Sequence, residues 1–199
     1  VLEGRRVVNN IQRSASLFLV KNIFSLLLSI LSAVFMISYP LEPSQVSLIS
    51  MFTIGIPGFF LALEPNKTRI KGHFMTNVLL KALPAGLTDV FAVGALVVCG
   101  HVFGLPLEDI ATAATMLLAI VGFMILYKIC QPMNSVRLAV FIGCIVGMIF
   151  CGVFLNQLFA MSGMSTICIL LFVMFSFAAE SFFRYLSILV EDVRLLVKR

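Results

Sequence analysis

QVSLISMFTIGIPGFFLAL, residues 45–63, is a run of 19 residues without a charged side chain. A helix of about 20 mostly apolar residues crosses the hydrocarbon core of a bilayer. Stretches of the same kind lie to either side of it, at 16–38 before and at 82–103, 110–130, 136–155 and 164–187 after. Composition agrees with this, since 61% of the residues are hydrophobic and 12% charged, with a mean hydropathy of +1.12. That leaves too little polar surface for a water-soluble domain. The expected fold is all-α, a polytopic membrane protein with six transmembrane helices and both termini cytoplasmic. Residues 1–15 read as the end of a helix projecting into the cytoplasm, 16–190 as the six-helix domain and 191–199 as a C-terminal tail.

Charge sets the orientation. Of the 14 Lys and Arg residues, Lys21 lies inside a span, and the other 13 lie on one side, beyond the spans or within three residues of their ends. Arg5, Arg6 and Arg13 precede the first span; Lys67, Arg69, Lys71 and Lys81 follow the second; Lys128 and Arg137 follow the fourth; Arg184, Arg194, Lys198 and Arg199 close the chain. The gaps on the other side carry Glu42, His101, Glu108 and Asp109 and no Lys or Arg. By the positive-inside rule the cationic side is cytoplasmic, so the net charge of +5 expresses topology and not a nucleic-acid footprint.

Cys99, Cys130, Cys144, Cys151 and Cys168 sit in or beside apolar spans without C-x-x-C spacing, which favours packing over disulfides or metal binding. The opening VLEGRRVVNNIQRSAS lacks the apolar core of a signal peptide. It is basic and moderately amphipathic, with Val8, Ile11 and Ala15 at helical spacing. The chain offers it no partner large enough to pack against, which suggests a preceding cytoplasmic domain. No phosphate loop, metal-ligand cluster or nucleophile elbow is present, so the chemistry that drives the protein is expected from outside these residues.

Two spans carry polar stripes. In the first, Asn22, Ser25, Ser29 and Ser32 recur at steps of three and four. They serve either interhelical packing or a polar path. In the second, Ser47, Ser50 and Thr53 lead to Gly55-Ile56-Pro57-Gly58. Pro57 has no N–H to give the carbonyl of Thr53, so a bend or break is expected there, with backbone oxygens freed beside hydroxyls as a dehydrated cation requires. Lys21 either snorkels to the cytoplasmic interface or acts as a counter-cation within a cavity. Glu180 and Arg184 are spaced for an (i, i+4) ion pair. Asp89, after Pro84-Ala85-Gly86, has no local partner and serves an interhelical hydrogen bond or the ion path. Gly143-x-x-x-Gly147 and Gly100-x-x-x-Gly104 permit close helix approach, and the ten Met residues read as adaptable packing.

GRRVVNNIQRSASLFLVKNIFSLLLSIL (4–31) followed by PLEPSQVSLISMFTIGIPGFFLALEPNKTRIKG (40–72) resembles the fifth and sixth transmembrane helices of P-type ATPases. The most specific stretch is Phe52 to Asn66, whose T-x-G-x-P-x-x-x-L core is Thr53, Gly55, Pro57 and Leu61. The likeness is to bacterial pumps of the calcium-exporter type and is strong over residues 1–72; beyond them, the number of spans and the cytoplasmic C-terminus agree with the family. It implies that this chain is the C-terminal membrane half of a larger pump, with residues 1–15 ending its stalk. The partners would be the cytoplasmic domains and first four transmembrane helices of the same pump, in the plasma membrane, with Mg2+ and ATP bound outside this chain.

Carried over residue by residue, the resemblance makes Asn22 and Thr53 ion ligands. Ser25 stands where calcium pumps have a ligating Glu, and Ser50 where they have an Asn. Ile54 takes the place of the Asp shared between calcium sites, and Pro57 shapes the backbone beside it. Calcium favours six to eight oxygens, carboxylates among them, so at most one ion per cycle is expected, calcium favoured by likeness. Three functions fit these residues: an ATP-driven cation pump, a pump-like translocase of a lipid or other bulky substrate, and a free-standing six-span carrier or scaffold.

Overall fold

The computed structural model describes residues 2–36, 39–63 and 74–196. Asn66, Lys67, Arg69, Lys71, Lys198 and Arg199, used above for topology and motif, lie outside them. The described elements are helical: α1 (Leu2–Phe35), α2 (Pro43–Ser50), a π-helical turn (Met51–Gly55), α3 (Ile56–Leu63), α4 (Phe74–Val102), α5 (Leu107–Cys130), α6 (Ser135–Phe154) and α7 (Thr166–Leu196). With α2, the π turn and α3 forming one continuous segment, six helices are long and apolar enough to cross a membrane.

α1 is unbroken over 34 residues, about 50 Å at 1.5 Å per residue, well beyond the ~30 Å hydrocarbon core. No Pro or Gly interrupts it between Arg5 and Phe35. Its N-terminal part meets the end of the second span. Asn10, Gln12, Ser16 and Leu17 are buried, and Asn10 Nδ2 donates to the Ala62 carbonyl at 2.8 Å. Polar residues make this contact, while Ile11 of the amphipathic pattern is exposed. The hydrogen bond ties α1 to the last turn of α3.

The second span does not break at Pro57. The Ile56 N–H donates to the Met51 carbonyl, five residues back, so the helix widens by one residue just ahead of the proline. A π turn lets a helix pass a residue that lacks an N–H and whose ring would press on the preceding turn. Residues 52–54 and Pro57 are buried within it.

α5 and α4 form the centre. α5 is lined on nearly all sides by buried residues, Ala111, Ala113, Ala114, Leu117, Val121 and Leu126 among them, as expected of a helix apolar all round. α4 packs against α1, α5 and α7, the last through stacked rings of Phe91 and Phe182 with centroids 4.7 Å apart. α6 is the most peripheral span, with most of its apolar side chains outward. The five cysteines are free thiols, and Glu180 and Arg184 form the expected ion pair. The glycine pairs act singly. Gly147 packs under the Phe52 ring while Gly143 meets nothing, and Gly104 lies beyond the end of α4 with φ +64.

Loops at the two ends are held by specific hydrogen bonds. At one end Gln45, fully buried, donates to the Ala160 carbonyl at 2.8 Å and accepts from the Glu42 N–H at 3.0 Å. Asp109 accepts from the Ser165 N–H at 2.8 Å, and Thr112 Oγ1 accepts from the Ser162 N–H at 3.0 Å. The described loops of that end, 39–42, 103–106 and 155–165, contain no Lys or Arg. At the other end the buried Arg137 donates to the Cys130 and Pro132 carbonyls at 3.1 and 2.7 Å, closing the α5–α6 turn.

Candidate functional site

A cavity of about 50 Å³ lies among α1, α2, the π turn, α4 and α5. A water needs roughly 10–15 Å³ on this scale, so the space suits a few waters or one dehydrated ion. Its polar lining is Lys21, Ser50, Thr53 and Asp89; the remainder is apolar, with Ile54 on the wall.

Ser50 Oγ donates to the Val46 carbonyl at 2.7 Å and Thr53 Oγ1 to the Ile49 carbonyl at 2.8 Å. Hydroxyls in helices bond back in this way, and both oxygens keep lone pairs for another donor or a cation. Thr53 is 3% exposed and packs against Gly122 of α5. Asp89 is 4% exposed, and its Oδ1 has no hydrogen-bond partner among the described residues. Pro84 sits inside α4, and Thr88 Oγ1 donates to its carbonyl at 2.6 Å. Lys21 is half-buried and lines the cavity.

The two polar stripes do not meet. Asn22 is exposed, Ser25 is half-buried, and neither lines the cavity. Ser29, also exposed, donates to the Ser25 carbonyl at 2.7 Å. The Asn22 face of α1, which also presents Phe18, Leu26 and Ile30, is uncovered by the described helices. Ser47 is exposed at the start of the second stripe. Gly122 has no counterpart in the sequence-based site, because a single glycine in the apolar run AIVGFMI carries no polar signal.

Among the described residues no three His, Cys, Asp or Glu are grouped to hold a metal ion. Ionisable groups inside a membrane span are costly and concentrate at transport paths. Fold and cavity together define a multi-pass helical membrane protein with a single-carboxylate polar site between its spans.

Comparison with known proteins narrows this class. No family model matches the chain. It is 32% identical over 162 residues to "Probable cation-transporting ATPase exp7" of Streptococcus pneumoniae, covering 77% of this chain and 21% of that protein. It is 43% identical over 95 residues to the calcium-transporting ATPase CtpE of Mycolicibacterium smegmatis, covering 43% of this chain and 12% of that one. With CtpE of Mycobacterium bovis it shares 33% identity over 151 residues, 69% of this chain and 19% of the relative. The chain belongs to the P-type cation-transporting ATPases and represents a C-terminal membrane portion of such a pump. It spans about a fifth or less of the length of these curated relatives.

Proposed function

We propose that this chain forms the ion-conducting membrane half of an ATP-driven pump that moves a cation, calcium foremost, across the plasma membrane. The observation that carries this is the cavity lined together by Ser50, just before the π turn, Thr53 within it, the buried Asp89 and Lys21. Oxygen acceptors at a helical irregularity deep in the membrane suit a partly dehydrated cation. Two relatives named as calcium-transporting ATPases support the choice of ion. Asn22 and Ser25 complete the site from the uncovered face of α1, against the transmembrane helices that precede this segment in the pump. ATP and Mg2+ bind in the cytoplasmic domains of the same polypeptide. With Lys and Arg gathered at one end, both termini are cytoplasmic.

A translocase of lipid or another bulky substrate is the second reading, favoured by Ile54 at the position of a family carboxylate and by Lys21 in the cavity. A volume near 50 Å³ weighs towards an ion. Phosphoenzyme formation from labelled ATP, in membranes holding the complete pump at low fixed magnesium, separates the two. An acid-stable phosphoenzyme dependent on added calcium is expected across a panel of calcium, manganese, potassium and higher magnesium. A phosphoenzyme formed with no added transport ion supports the bulky-substrate translocase instead.

A further inference from the structure

Resting on the pump reading, we infer that the negative charge of the ion site is supplied by Asp89 of the third span, replacing the carboxylate absent at Ile54, and that it binds one transported cation. Ile54 and Asp89 line the same cavity, so an acid on α4 reaches the space that an acid at position 54 would have reached. The approach of α4 to α1 puts it there. A Cβ on Gly86, one turn before Asp89, would lie 2.7 Å from Ile23 Cγ2 and 3.6 Å from the Val20 carbonyl oxygen. The face shared by residues 86 and 89 is thereby pressed toward α1.

Donor and acceptor capacity then selects the occupant. Ser50 and Thr53 spend their hydroxyl protons on the Val46 and Ile49 carbonyls, so both offer the cavity lone pairs alone. Asp89 Oδ1 is buried without a donor. No ion pair within 4.0 Å joins it to Lys21. With Asp89 ionised, all three oxygens are acceptors alone, and a lone carboxylate in a buried setting holds that charge only beside a positive one, which a cation entering the cavity supplies. With no further acidic, His or Cys group clustered there among the described residues, a single carboxylate serves a single cation.

The test uses the complete pump in membranes. The concentration of the most effective cation that gives half-maximal phosphoenzyme is measured for wild type, Asp89→Asn and Asp89→Glu. Asp89→Asn is expected to raise it at least tenfold, equivalent to about 1.4 kcal/mol, and Asp89→Glu to recover part of that loss. Equal values for wild type and Asp89→Asn overturn the role of Asp89 and leave the pump reading standing. A wild-type protein whose phosphoenzyme ignores every cation overturns the pump reading and this inference with it. If the variants fail to accumulate, wild type supplies a second measurement with dicyclohexylcarbodiimide, an apolar reagent for intramembrane carboxyls. Modification at Asp89 is expected without the cation, with at least tenfold protection by it; modification indifferent to the cation overturns the inference.

Discussion

A Cβ built on Gly122 of α5 would stand 2.8 Å from Cγ2 and 3.1 Å from Cβ of Thr53. The fourth span therefore touches the π turn backbone-to-side-chain, and the position of Thr53 in the cavity depends on the missing side chain. Thr is β-branched and stiff about χ1, so it has little room to yield.

Gly122→Ala is expected to push the π turn away from α5. Overpacking of this kind costs about 1–3 kcal/mol, more than the roughly 1 kcal/mol that Ala gains over Gly in helix propensity. The melting temperature in detergent should fall, with weaker cation stimulation of the complete pump. A variant as stable and as cation-sensitive as wild type refutes the contact.

Thr53→Ala removes a cavity oxygen, and at least a tenfold loss of apparent cation affinity is expected, about 1.4 kcal/mol. Asn22→Ala should cost as much if the uncovered face of α1 completes the site. Cation titration of phosphoenzyme separates the two. Sensitivity at Thr53 without sensitivity at Asn22 confines the site to the cavity described, and indifference at both removes them from it.

Lys21→Met keeps length and apolar packing while deleting the ammonium. With Lys21 in the cavity wall, the change should alter cation stimulation or the ratio of ions moved to ATP split, at normal expression and melting temperature. A lysine that only snorkels to the interface leaves both quantities at their wild-type values.

Pro57→Ala restores a backbone donor and removes the ring that an ordinary α-helical turn cannot accommodate. The second span is then free to return to α-helical register, which rotates Ser50 and Thr53 relative to Pro57 and the rest of α3. Unchanged or increased thermal stability is expected, with cation affinity reduced at least fivefold. Wild-type affinity in this variant indicates that the π turn is held by its neighbours, Gly122 and Gly147, and not by the proline.

The spans were legible because the bilayer sets a length and a polarity that short windows of sequence report directly. Pro57 marks the irregular turn, since a missing N–H must disturb the hydrogen-bond ladder wherever it sits; the sequence leaves a bend or a break open, and the disturbance takes the form of a π turn. The Glu180–Arg184 pair was readable for the same local reason, both residues lying on one helix face. Helical periodicity tells which residues share a face of one helix, and it is silent on which faces meet. Hence two serine-rich stripes that look matched in sequence lie apart, with Asn22 outward and Thr53 inward. Asp89, 36 residues from Thr53 in the chain, joins its cavity, and Asn10 finds Ala62. Those pairings follow from how closely helices approach, and that is decided by glycines such as Gly86 and Gly122, whose contribution is the absence of a side chain.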